Sequence, residues 1–144
     1  MSRKKLLLLL KRYFSRRREV SAVFLYGSRA RGTPRPTSDA DIAVLLGKRS
    51  ISGFTAMMRY ACDLELLLGL RADVAVLDKA DPLLRIQVLT KGIEVFVRDR
   101  STLNEFRSRS QKEYWDFIPL QRIMDDAAAK RIEHMAFLPR LRRA

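Results

Sequence analysis

The chain has 144 residues, with 29 Lys and Arg against 16 Asp and Glu and a formal net charge of +13. Its 47% apolar content excludes a disordered chain, and its length suits one domain that buries a core without disulfides. A single cysteine, Cys62, excludes an internal disulfide and fits a reducing cytoplasm; it is expected as a small apolar residue on the inner face of a helix.

The first predicted element is a basic amphipathic helix over about 3–18, with its leucines turned to the core. The run Leu6–Leu10 is only five residues long and leads into Lys11-Arg12 and Arg16-Arg17-Arg18. A secretory signal needs ~7–15 apolar residues and a small-residue cleavage site, and a membrane span needs ~20. The expectation is a soluble, cytoplasmic protein with no membrane contact. Eight basic residues fall within 3–18. They form either a face for nucleic acid, a nucleotide or an acidic protein, or a solvated surface. No zinc-finger spacing or aromatic–basic signature accompanies them, so nucleic acid is not the favoured partner.

Val20 to Tyr26 is β-branched and aromatic and stops at Gly27, the pattern of a buried strand. Gly27-Ser28 then makes a strand-to-helix turn, and Arg29-Ala30-Arg31 one helical turn ended by Gly32. Thr33 to Thr37 is a loop, because Pro34 and Pro36 permit neither helix nor central strand. Asp39 to Leu46 is a second strand, and 51–69 a helix with Met57, Ala61, Leu64 and Leu68 at helical spacing, stopping at Gly69. Ala72 to Leu77 is a third strand, Pro82 opens a helix that Gly92 closes, and Ile93 to Val97 is an edge strand. From about 102 to 135 the pattern is mostly helical, with Pro119 expected to kink or break it. Alternating strands and helices predict an α/β fold, a small mixed β-sheet flanked by helices. One domain spans 1–144, with a helical region from 102 onward.

Asp39 and Asp41 stand at i and i+2 on a predicted strand, so their carboxylates share a face with α-carbons ~6.6 Å apart. Such a pair can converge on a hard cation such as Mg²⁺, which prefers oxygen ligands. A polar, exposed strand start would look the same. Asp73, inside the apolar run Ala72 to Leu77, shifts the balance. If its strand lies beside the one bearing Asp39 and Asp41, three carboxylates meet at one sheet edge and can hold two metal ions. The alternative for Asp73 is a strand-end residue paired with Arg71. Gly27 lets the backbone approach a phosphate, Ser28 can donate to a phosphate oxygen, and Arg29 and Arg31 can offset its charge.

The pattern Gly27-Ser28-x10-Asp39-x-Asp41 with Asp73 resembles the nucleotidyltransferase superfamily that includes DNA polymerase beta. More closely, Gly27 to Gly32 and Ser38 to Asp41 are similar to the minimal nucleotidyltransferases, the MNT or MntA-type antitoxins. Asp81-Pro82-Leu83-Leu84-Arg85, Lys91-Gly92-Ile93 and Tyr114-Trp115-Asp116-Phe117 extend the resemblance over about 20–120. The resemblance implies a polymerase beta-like fold and a Mg²⁺-dependent enzyme that transfers AMP from ATP to a tyrosine hydroxyl. The acceptor would be a cognate HEPN-domain RNase toxin, with which the antitoxin would form a hetero-oligomer. In that scheme Asp39, Asp41 and Asp73 hold two Mg²⁺ ions, Gly27 and Ser28 hold the phosphates, and Asp73 completes the catalytic site.

Competing readings are a stoichiometric antitoxin without catalysis and a nucleotidyltransferase acting on RNA or a small molecule. Relatives of the latter kind carry a further substrate-binding domain of about 100 residues, which this length does not accommodate. Tyr26 and Tyr60 read as core. Tyr114, Trp115 and Phe117 form an aromatic cluster that either packs against the sheet or docks a toxin. His134 reads as a surface or interface residue.

Overall fold

Ser2 caps the first helix by accepting from the Lys5 N–H, and α1 runs over Arg3–Ser15. Its Leu6, Leu10 and Phe14 are fully buried at helical spacing, each contributing about 1.5–3 kcal/mol of burial. The computed structural model describes residues 1–35, 38–47 and 51–143, with side chains to 135. Pro36 and Thr37 of the predicted loop lie outside the described residues.

After α1 the chain forms β1 (Ala22–Tyr26), a short α2 (Gly27–Arg31) and β2 (Ala40–Leu45). There follow α3 (Gly53–Leu68), β3 (Ala72–Val76), a 3₁₀ turn (Leu77–Lys79), α4 (Pro82–Lys91), β4 (Ile93–Val97) and α5 (Arg100–Arg143). The four strands lie in the order β3-β2-β1-β4. β1 runs antiparallel to both β2 and β4, and β2 runs parallel to β3, so the sheet is mixed as the sequence predicts.

Strand alternation divides the core between the two faces. On one face Val23, Leu25, Ile42, Val44, Val74 and Val76 meet α1 and α3. On the other, Ala22, Phe24, Ala43 and Leu45 meet Val88 and Leu89 of α4 and Leu103 and Phe106 of α5. Asp41 and Asp73 share the parity of this second face but stand at the strand ends, beyond the residues that the helices bury.

Three expectations change. Cys62 is exposed on the outer side of α3, because the inner side is taken by Ala56, Tyr60, Leu64 and Leu68. α5 runs through Pro119 without interruption. The carbonyl that Pro119 leaves without an N–H donor belongs to Trp115, which is 72% exposed and open to water. That exposure also removes Trp115 from the sheet packing, whereas Tyr114 and Phe117 are half-buried.

Candidate active site

The site is built at one end of the sheet, where β1 stops and β2 and β3 start. Register pairs Tyr26 with Asp41 across β1–β2 and Asp41 with Asp73 across β2–β3. Three side chains therefore stand in a row on one face. Asp39, two residues before Asp41, reaches the same end, and its charge is felt at Asp41. No ion pair ties Asp73 to Arg71 among the described residues; both side chains are exposed.

Gly27 fixes how closely the turn approaches this row. Its φ is +71°, in the left-handed region, and a Cβ there would fall on the carboxylate of Asp41. Only glycine meets both requirements without a shift of the metal-ligand candidate. The N–H groups at the start of α2 have no side-chain cap and open beside the same carboxylate. Ser28, half-buried, is the next residue.

Electrostatics mark Asp41 as the strained member. Burial is the largest influence raising its pKa, followed by the negative charges of Asp73 and Asp39; Arg31 acts in the opposite sense. Tyr26 is pushed up to about 12, by burial first and then by Asp73 and Asp41, so its hydroxyl stays neutral at physiological pH. Sequence reasoning placed Tyr26 in the core and missed its position beside the carboxylates. Its place one residue before Gly27 was the available signal, but the pairing with Asp41 depends on strand register.

Arg29 departs from its expected role at a phosphate. It is 6% exposed, and its Nε and Nη2 both donate to the carbonyl oxygen of Ser38, at 3.1 and 2.8 Å. A guanidinium fork spent on the residue before Asp39 positions the start of the strand that carries Asp41 rather than reaching outward to a phosphate. Arg31 is exposed at the end of α2 and near enough to act on Asp41.

The residues fit the hard cation that the resemblance implies. The donors are carboxylate oxygens, and their mutual repulsion at Asp41 is what a bound cation relieves. Among the described residues no three acidic, His or Cys side chains form a ready-made ligand cluster. The carboxylates line an edge instead, which leaves coordination positions for water and phosphate oxygens, as Mg²⁺ requires. No helix among the described residues is long and apolar enough to cross a membrane.

A chain of a toxin–antitoxin structure with AMP-PNP is 26% identical to this one at a TM-score of 0.69, the match covering 89% of this chain and 99% of that one. A candidate minimal nucleotidyltransferase is 31% identical at a TM-score of 0.54, over 65% of this chain and 95% of its own. A tri-AMPylated Shewanella oneidensis HEPN toxin in complex with an MNT antitoxin supplies a third match. At 24% identity, a TM-score of 0.63 and coverage of 88% and 95%, that match shows the common fold. No curated protein matches the chain in sequence. The profile of the family described as polymerase beta, nucleotidyltransferase matches residues 9–101, a stretch that includes Gly27, Ser28, Asp39, Asp41 and Asp73. That match takes in more than half of the chain, and the protein belongs to the polymerase beta nucleotidyltransferase family, among its minimal, MNT-type members.

Proposed function

We propose that this protein is an antitoxin-type adenylyltransferase that moves AMP from ATP to a tyrosine hydroxyl of a cognate HEPN-domain RNase toxin and so silences it. The observation that carries the reading is the row Tyr26–Asp41–Asp73 closed by Gly27, which sets carboxylates against a turn able to admit phosphate. The 26% identical toxin–antitoxin neighbour with an ATP analogue supports a nucleoside triphosphate as donor and a toxin as partner.

In this mechanism Gly27 and Ser28 bind the triphosphate through the open N–H groups of α2 and the Ser28 hydroxyl. Asp39, Asp41 and Asp73 would hold Mg²⁺, which when bound neutralises the phosphate oxygens. Arg31 adds positive charge on the solvent side. Arg29 holds the Ser38 carbonyl, and through it the start of β2, in place. The acceptor oxygen attacks the α-phosphorus in line, and the bond from that phosphorus to the α–β bridging oxygen breaks. Pyrophosphate leaves with the bonding pair, and the phenolic proton passes to the Asp73 carboxylate.

Asp39→Ala/Asp41→Ala is expected to lower Mg²⁺-dependent transfer of labelled AMP by at least ~100-fold while its circular dichroism stays native. Intact-mass measurement of a co-incubated toxin reads the outcome. Full transfer by that variant would overturn the reading, and toxin protection without nucleotide would replace it with stoichiometric binding.

A further inference from the structure

β3 is an edge strand whose outer side has no pairing partner among the described residues. The Arg71 carbonyl accepts from the Ala40 N–H at 2.9 Å, so main-chain groups at odd positions face β2. By alternation, the N–H and C=O groups of Ala72, Val74 and Val76 face outward. The Ala72 N–H is taken by the Glu65 Oε1, to which it donates at 3.3 Å, so the open stretch is at Val74 and Val76. Edge strands are commonly blunted by Lys, Pro or a covering element. β3 reads Ala-Asp-Val-Ala-Val, with a charge at Asp73 and the Glu65 carboxylate on the Ala72 N–H at its start, whereas Val74 to Val76 carry neither charge nor proline. The opposite edge is defended: Glu94 of β4 pairs with Arg100 and Arg107, and α1 lies alongside with Arg3, Lys4 and Lys11.

A cavity of about 530 Å³ opens at this free edge, one side-chain period beyond Asp73. Gly53, Phe54 and Met57 of α3 line one side, Ala75 the floor, and Lys79 and Leu84 the other side. Gly53 keeps the walls close: a Cβ there would stand 3.2 Å from the Lys79 side chain. The far wall is braced by Arg85, which donates to the Leu77 and Asp78 carbonyls. Phe54, 70% exposed, forms an apolar rim.

We infer that this edge receives an extended segment of the acceptor polypeptide, which pairs with β3 and seats an apolar side chain in the groove beside Ala75. The inference rests on the protein-adenylylation reading above and names how its acceptor is held. The outward main-chain groups of Val74 and Val76 select an extended polypeptide, because a helix or a nucleic acid cannot complete a strand ladder. Side chains repeat on one face at every second residue. An acceptor tyrosine opposite Asp73 therefore places the residue two positions along over the groove. The recognised sequence is a tyrosine with a large apolar residue at the second position to one side.

The test uses the full chain with Mg²⁺, labelled ATP and synthetic peptides of about nine residues centred on tyrosine. Leu at one of the two flanking positions, −2 or +2, is expected to raise labelling at least tenfold over a peptide with Asp at both. N-methylation of one alternate set of peptide amides should abolish labelling, and of the other set leave it intact. Phe54→Glu should erase the Leu preference and raise KM for a protein acceptor tenfold, with unchanged melting temperature and Mg²⁺-ATP binding. Equal labelling of both N-methyl series, no Leu preference, or an unaffected KM in Phe54→Glu overturns the inference and leaves protein adenylylation standing. If the wild type labels neither peptide nor toxin while binding Mg²⁺-ATP, the adenylylation reading fails, and this inference falls with it.

Discussion

Asp41 concentrates the conflict between folding and function in one residue. It sits between Tyr26 and Asp73 in register, and burial with two like charges raises its pKa. A carboxyl with a higher pKa folded than unfolded holds its proton more tightly in the folded state. Its ionisation therefore costs stability, from the ordinary carboxylate range upward until the raised value is passed. Below that range both states are protonated and the cost vanishes. In chelator-containing buffer, Asp41→Asn is expected to melt above the wild type at neutral pH, the gap closing as pH falls to about 3. Mg²⁺ added to the wild type should narrow the same gap, since the cation offsets the repulsion. Thermal melts across the range check both statements; a variant that melts below the wild type at neutral pH refutes the account. The same substitution should abolish AMP transfer, because stability gained at a strained site is taken from its chemistry.

At the scale of elements, the link between α2 and β2 decides whether the carboxylates stand where the turn needs them. Arg29 supplies that link through two donors to one carbonyl, in a nearly dry setting. Lysine keeps the charge and loses the fork. Arg29→Lys is expected to cost about 1–3 kcal/mol of stability in urea unfolding. It should also reduce kcat for AMP transfer more than it raises KM for ATP. An unchanged kcat with a tenfold higher KM would return Arg29 to the phosphates. This role was not legible in the sequence: Arg29 and Arg31 look alike there, and only the fold shows that one is buried and the other exposed. β1 and β2 were legible because their apolar runs are closed by Gly27 and Gly47, and α1 and α3 because apolar residues repeat at helical spacing. In α3 the positions read from the sequence beside Leu64 and Leu68 were Met57 and Ala61, which are half-buried, whereas the innermost are Ala56 and Tyr60. The position of Asp73 beside Asp41 was conditional on strand order, which periodicity does not encode. Cys62, Trp115 and Pro119 were misjudged for a common reason. Their surroundings are open to solvent, and composition alone cannot separate an apolar residue that is covered from one that is not.

The whole molecule divides into a packed body and a projecting helix. α5 joins the body through Leu103, Phe106 and Ser110, all buried, and Gln121 is the last half-buried residue among the described side chains. From 122 to 135 every side chain is exposed, including Ile123, Met124, Ile132 and Met135. Described side chains that cover nothing in the body add little to its stability, since helices in proteins draw most of their stability from packing an apolar face. Ending the chain after Gln121 is therefore expected to shift the melting temperature by less than about 3 °C, a change below ~1 kcal/mol. Mg²⁺-ATP binding should be unchanged, because Gly27, Ser28, Asp39, Asp41 and Asp73 all lie within the body. Ending it after Ser101 instead removes Leu103 and Phe106, whose loss costs several kcal/mol each by cavity formation, so that chain should not fold. Calorimetry on the two truncations separates the cases. A large loss on removing 122–144 would mean that the distal helix is covered in solution, and the exposed apolar positions just named would then be where it is covered.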